Sequence, residues 1–400
     1  MWSVIVMKRH WSILALVVCV ALLAVGCKEA AQGGSGTEKP DTVDKVNVKE
    51  NAKQSNLDVI QPIAYGNVKG LNLEPGSTIS MIGRGSSSAY WSEVRAGAHR
   101  AVDDINAMLG YKGNDKIKLN YSAPETEDNV DDQVNILDEE LARYPVAVGI
   151  AVVDSSACEV QFDLAAENDI PVVAFDSGTD YHNIVSMIDT DNMQAAATAA
   201  DKLCDSIEDS GENLLFVHDT KSTSAKEREA GFVDAIAAKH PDVSIAEIYH
   251  LDDLENIRKE IAAAAAGTGD AETTEQTEDA GVEITQEEAI QYILEKHPDV
   301  KGICTTSEAT AKFVIDALKN MEKDDVGIVS FDGGKDQLKR LEDGTLEGLI
   351  VQNPYGIGYA TIVACARAVL NQGNEAEVNT GYTWVTKDNM KKETIKRMMY

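Results

Sequence analysis

The sequence predicts an α/β protein whose parallel sheets are covered by helices on both faces. Three observations predict it. From Ser77 onward, short β-branched runs alternate with stretches of helical periodicity. The strands themselves ("PVVAF", "NLLFV", "GLIV") are almost continuously apolar, as a sheet buried on both faces requires. The 400 residues, 44% of them hydrophobic, also suffice for two packed domains.

The chain begins with a segment outside that pattern. "MKRHWSILALVVCVALLAVGC" has a basic start at Lys8 and Arg9, an apolar run from Ile13 to Val25, and then Gly26-Cys27. Residues 1–26 read as a secretory signal peptide. A Cys after a small residue at the end of the apolar run is similar to a bacterial lipobox, with Ala24 where Leu is usual and Leu23 just upstream. A transmembrane anchor is the other reading. The run is shorter than the roughly 20 residues a span prefers, so lipidation at Cys27 is expected. Residues 27–76, polar and Gly/Ser-containing at first, read as a flexible tether from lipid to globule.

Strands are then expected at Thr78–Ile82, Ile117–Tyr121, Val146–Val153, Pro171–Phe175, Asn213–His218, Ser244–Tyr249, Gly302–Thr305, Val326–Phe331 and Leu349–Gln352. Helices are expected between them. Trp91–Leu109 carries Val94, Ala98, Val102, Ile105 and Met108 at helical spacing. Asn192–Ser210, Ser224–Lys239, Glu308–Met321 and Ile357–Leu370 behave likewise. Residues 267–288, "GTGDAETTEQTEDAGVEITQEE", are acidic and almost free of large apolar side chains. A disordered surface insertion is expected there. A calcium loop would need D-x-D-x-D-G spacing, which is missing.

Sheets of this class bind ligands at the carboxyl ends of their strands. Arg84, Ser88, Tyr90 and Trp91 follow the first strand, Asp154 the third, and Asp176 and Ser177 the fourth. Arg228 and Ser224 follow "NLLFVHD", Ser307 and Glu308 follow "GICTT", Asp332 follows "GIVSF", and Gln352 ends "GLIVQ". Each alone has a bland reading. Asp176, Ser224, Ser307 and Asp332 suit helix caps and turns, and Arg228 has Glu227 and Glu229 beside it. Tyr90 and Trp91 are adjacent, so one helix stripe cannot bury both. Carboxylates, an Arg, an amide and two aromatics on one rim form the inventory for a small polyhydroxylated or zwitterionic ligand.

The order of these residues resembles the type I periplasmic-binding-protein family, in its sugar-binding, ribose-binding-protein-like branch, from about Ser77 to the end of the chain. Tyr90-Trp91 matches the family's sugar-stacking pair. "IPVVAFD" puts Asp176 at a ligand carboxylate, and "STSAKEREAGF" puts Arg228 at the ligand arginine. "VGIVSFDG" places Asp332 and "LIVQNP" places Gln352 on two further ligand contacts. The resemblance implies that Tyr90 and Trp91 sandwich the ligand. It also implies two Rossmann-like lobes, residues 77–189 plus 353–383 and residues 190–352 plus 384–400, with crossings near Asp189, Gln352 and Trp384. Departures bear on specificity. Ser177 stands for an expected Arg, and Ser307 for an Asn. Val152, Val153 and Asp154 replace an Asn, and Arg84 replaces a small hydroxyl residue. Arg84 meets either a polar or anionic ligand group or Glu93.

The function expected is a lipid-anchored, extracytoplasmic solute-binding protein. It would close on a sugar-like ligand and deliver it to an ABC transporter permease. A sensor presenting the same ligand to a membrane receptor or kinase is the alternative. The net charge of −31 excludes a nucleic-acid partner. No cofactor is expected: "GRGSSS" lacks the third glycine of a dinucleotide fingerprint, and no acid closes the next strand. No metal is expected from the isolated cysteines, and no enzyme from the scattered histidines, although His218-Asp219 near Ser224 merits an assay. A monomer is expected.

Overall fold

The computed structural model describes residues 53–266 and 284–400. The signal peptide, Cys27 and most of the acidic insertion lie outside the described residues. The first described segment forms α1 (Gln54–Asp58) and a 3-10 turn at Ile63–Gly66. Leu57, Ile60, Tyr65, Leu71 and Leu73 are buried in the same core as β1 (Thr78–Ile82). The expected tether to residue 76 is therefore corrected: its last two dozen residues are part of the globule. Their apolar side chains follow neither a helical nor a strand period, so each fills a groove that only the folded lobe supplies.

The N-lobe continues with α2 (Ala89–Leu109), β2 (Lys118–Ser122), α3 (Val130–Leu141), β3 (Ala147–Ile150), α4 (Glu159–Glu167), β4 (Val172–Phe175) and β5 (Ile184–Asp189). The chain then crosses into the C-lobe. There follow α5 (Asn192–Ser206), β6 (Gly211–Val217), α6 (Thr223–Lys239), β7 (Val243–His250), α7 (Glu255–Ala266), α8 (Gln286–Lys296), β8 (Val300–Thr305), α9 (Glu308–Asn320), β9 (Gly327–Phe331), α10 (Lys335–Asp343) and β10 (Gly348–Gln352). It returns for α11 (Pro354–Val369) and β11 (Glu377–Asn379). Finally it re-enters the C-lobe for β12 (Tyr382–Val385) and α12 (Glu393–Lys396).

Among the described residues the strands form two six-stranded sheets, ordered β11-β5-β4-β3-β1-β2 and β12-β10-β9-β8-β6-β7. The two orders are equivalent, and all pairings are parallel except that of β12 with β10. In each sheet the strand order reverses beside the first strand of the lobe, β1 or β6. In doubly wound sheets ligands gather outside the carboxyl ends of the strands at that reversal. The core strands are buried end to end, β3 and β10 among them.

Helices α2 and α11 cross over the N-lobe sheet at two glycines. A Cβ on Gly97 would lie 2.0 Å from the Tyr355 carbonyl oxygen, and one on Gly358 would lie 1.8 Å from that of Val94. Only glycine permits this approach.

Two sequence expectations shift. The third crossing falls at Thr380-Gly381, with Gly381 at φ 80°. Trp384 lies inside β12, paired with Ile350. The last residues of the expected insertion are ordered into α8, whose N-cap Thr285 and Glu288 form a capping box.

Candidate functional site

A cavity of about 420 Å³ opens between the carboxyl ends of the two sheets, within the roughly 300–1,000 Å³ range of small-molecule sites. Asp176 and Asp332 hold corresponding places in it. Each follows a buried Phe, at the end of β4 or β9, and each has left-handed backbone, at φ 63° and 79°. Each donates its N–H to the next strand: Asp176 to Ile188 O at 2.9 Å, Asp332 to Ile350 O at 2.8 Å. That bond turns each carboxylate out of the sheet and into the cleft. Left-handed backbone is tolerated better by Asp than by most residues.

On the N-lobe wall, the Tyr90 hydroxyl donates to Asp176. Burial raises the Asp176 carboxyl above its ordinary value, against the lowering effects of Tyr90, Arg84 and Arg228. Arg84 donates from Nε to Asp128 at 2.7 Å and from Nη2 to Asp219 at 3.1 Å. Asp128 is on the N-lobe and Asp219 follows β6, so this pair ties the lobes together. Burial works against the guanidinium charge, but Asp128, Asp219 and Asp176 hold its pKa above the ordinary value. The Glu93 alternative is corrected: Glu93 takes Lys53 instead, at 2.8 Å.

The aromatic pair is also corrected. Tyr90 and Trp91 meet edge to face, centroids 5.2 Å apart and planes at 88°, so no ligand fits between them. Trp91 is 3% exposed, packs on Phe175, and donates from Nε1 to Glu127 at 2.7 Å. Tyr90 faces instead the ring of Tyr400, at 5.6 Å and 74°. Ser88 accepts from the Trp91 N–H, capping α2 at the cavity edge.

The C-lobe wall carries Arg228, buried on the Phe331 ring with Cζ 4.4 Å from its centroid. Its Nε donates to Asn192 at 2.9 Å and its Nη1 to Thr306 O at 2.7 Å. Neither neighbouring Glu engages it: Glu227 accepts from Asn192, and Glu229 pairs with His250. Asp332 accepts from Gln352 Nε2 at 3.2 Å and from the Glu308 N–H at the start of α9 at 3.0 Å. Gln352 also accepts from Thr190 at the first crossing, which links the hinge to Asp332. Ser307 caps α9 and lines the cavity. Ser222, rather than Ser224, caps α6, and Ser224 faces the cleft.

The structure thus brings Arg84, Ser88, Tyr90, Trp91, Asp176, Arg228, Ser307, Asp332 and Gln352 to one cavity. Asp154 and Ser177 do not line it. The Asp154 carboxylate turns back on Ser156, accepting from its N–H and hydroxyl. Ser177 is buried 3.3 Å from Thr223 Oγ1 and serves the contact between lobes.

Glu127, Asp128, His218 and Tyr400, which the sequence reading does not place on the rim, join the site, as does the strand-end Glu308. Glu127 and Asp128 follow β2, where the strand-end rule would have found them. His218 ends "NLLFVH". Burial, then Arg228, holds its imidazole well below its ordinary value, and its Nδ1 lies 2.7 Å from Thr306 Oγ1. Tyr400 has no sequence signal. Its hydroxyl accepts from the Gly333 N–H at 3.2 Å, although it lies 67 positions away.

Away from the cleft, Cys204, Asp209 and His240 bring candidate metal-ligating atoms within 4.8 Å of one another. The imidazole is already bonded to Asp209 and Asp201, and burial pushes the thiol up to about 12. Cys158, Cys204, Cys304 and Cys365 are all buried free thiols.

Residues 79–374 match the family model for the periplasmic binding protein domain, and the chain belongs to that family. The ribose import binding protein of Escherichia coli (strain K12) is 22% identical over 300 residues, 75% of this chain and 87% of the relative. A carbohydrate-transporter solute-binding protein from Agrobacterium radiobacter, in complex with D-arabinose, is 26% identical. It superposes with a TM-score of 0.66 over 81% of this chain and 99% of its own. An ABC-transporter solute-binding protein from Agrobacterium vitis with bound D-fucose shares the fold at 24% identity and a TM-score of 0.66. That match covers 81% of this chain and all (100%) of the neighbour.

Proposed function

We propose that this member of the periplasmic binding protein family is a lipid-anchored, extracytoplasmic solute-binding protein. It captures a sugar or sugar-like solute by closing its lobes and hands the closed complex to an ABC importer. The observation that carries this reading is the interlobe cavity, with Asp176 on one wall and Arg228 and Asp332 on the other. Acceptors and a bidentate donor facing each other across a gap grip hydroxyls from both sides only when the gap is shut. The arabinose and fucose held by the two similar structures, and the name of the ribose relative, support a sugar as the solute.

The chain acts as a monomer, by binding rather than by chemistry on the ligand. Cys27 supplies the anchor. Among the described residues no helix is long and apolar enough to cross a membrane.

Small-angle scattering of the purified protein against a panel of pentoses and hexoses tests the hinge. Binding with compaction is expected, and binding without compaction would remove the closing mechanism. Cys27→Ala is expected to move the protein from the membrane fraction to the medium. An unchanged distribution would remove the anchor.

A further inference from the structure

The charge of the cavity is unbalanced. Its lining has five carboxylates, Glu127, Asp128, Asp176, Glu308 and Asp332, against two guanidiniums, Arg84 and Arg228. His218 adds no positive charge, because burial and Arg228 hold it neutral. Arg84 is already shared between Asp128 and Asp219. Arg228 remains to oppose the other carboxylates, and two of its donors are committed to Asn192 and to the Thr306 carbonyl.

The imbalance is sharpest at one end of the C-lobe wall. Among the described residues, the Glu308 carboxylate has no ion pair and accepts no hydrogen bond, while its own N–H is bonded to Asp332. Burial, then Asp332, Asp336 and Glu127, push its carboxyl up to about 7, the behaviour of an acid that lacks a cation. The Tyr400 and Tyr90 rings line the same cavity, packed edge to face, and Tyr400 is near enough for the charges of Asp332 and Glu308 to act on its hydroxyl. Carboxylates beside aromatic faces are the surroundings that a desolvated ammonium group prefers. A neutral sugar would leave Arg228 alone to balance Glu308, Asp332 and Asp176 on closure, which is costly.

We infer that the solute carries a protonated amine, as an amino sugar or amine-bearing polyol does, and that Glu308, Asp332, Tyr90 and Tyr400 form its ammonium subsite. The inference rests on the sugar-binding reading above. It narrows that reading from hydroxylated solutes in general to those with a basic nitrogen.

The test is calorimetric titration of the purified full-length protein, at about pH 7, with matched compounds. These are D-glucosamine, D-galactosamine and D-mannosamine, each beside its neutral hexose and its N-acetylated form. At least one amino sugar is expected to bind about tenfold or more tighter than its neutral counterpart, a difference of about 1.4 kcal/mol. N-acetylation, which removes the charge, should abolish the gain. Glu308→Gln should bring the amine-to-neutral affinity ratio toward one, with a thermal melt confirming that the variant folds. Asp332→Asn serves if it does not fold. Neutral hexoses binding as well as or better than their amines would overturn the inference and leave the sugar-binding reading standing. If nothing on the panel binds, both fall. An amine preference that survives both substitutions would overturn the subsite.

Discussion

Asp176 and Asp332 occupy the same place in the two lobes, with the same backbone geometry, yet their walls differ. On the N-lobe side the polar groups answer one another. Tyr90 donates to Asp176, Trp91 to Glu127 and Arg84 to Asp128, and the rings run straight into the core through Phe175. On the C-lobe side Asp332 is held by an amide and a backbone N–H, Glu308 has no counter-charge among the described residues, and Arg228 keeps part of its fork for the cleft. The N-lobe wall is thus an extension of the core, shaped before ligand arrives. The C-lobe wall holds the unmet charge that a ligand would meet. Substitutions on the first wall should read mainly as stability, and on the second mainly as affinity.

Four substitutions probe that contrast, from the largest effect to the smallest. Trp91→Ala should cost about 3–5 kcal/mol of folding stability, the range for a large buried aromatic. Urea unfolding measures it. A fully stable variant that binds poorly would move Trp91 from the core to the ligand and erase the distinction between the walls. Arg228→Ala should leave more of the fold intact but cost about 1.5–3 kcal/mol of ligand affinity, roughly 10- to 150-fold. Titration with whichever solute binds measures this. An affinity within a factor of two of wild type would show that the guanidinium serves only Asn192 and Thr306.

Asp219→Asn weakens the Arg84 bridge between lobes while keeping an oxygen for the Lys221 and Ser222 N–H groups. About 1 kcal/mol should be lost from the closed state, roughly a fivefold shift toward open. Scattering without ligand would then give a larger radius of gyration, and an identical one would show that the bridge does not set closure.

The smallest effect is a pH trend. In the folded protein Glu308 keeps its proton up to about 7, against an ordinary value of 4.5. Between those values the folded state binds more protons than the unfolded chain, so this group makes stability fall as pH rises. Glu308→Gln lacks that dependence. Its melting temperature relative to wild type should rise from pH 4.5 to pH 8 in ligand-free protein. A flat difference would mean that the carboxylate already has a counter-charge.

Much of the fold and of the cleft is legible in the amino-acid sequence. The alternation of runs locates the nine strand candidates, because parallel strands must be apolar along their length. The rule that ligands sit at strand ends picks out Asp176, Arg228, Asp332 and Gln352 one at a time. Strand β5 and the edge strands β11 and β12 escape it. They are short or half exposed, and their patterns are diluted by polar residues. Asp154 and Ser177 show the converse. A strand-end position fixes where a side chain starts and leaves open which way it turns, and both turn to other partners.

By itself, then, the sequence determined the class of fold, the rim on which the site stands and most of its charged members, since these follow from local period and strand order. The tertiary structure decided the rest. It buried Trp91 and gave its expected place opposite Tyr90 to Tyr400, and it set Arg84 against Asp219 across the lobes. It left Glu308 beside Asp332 with no cation paired to it among the described residues. It also folded residues 53–76 into the N-lobe. Each of these is a contact between segments tens to hundreds of positions apart. Whether such a contact forms depends on the shape of a surface that exists only once both segments are folded, and no local pattern in the chain encodes it.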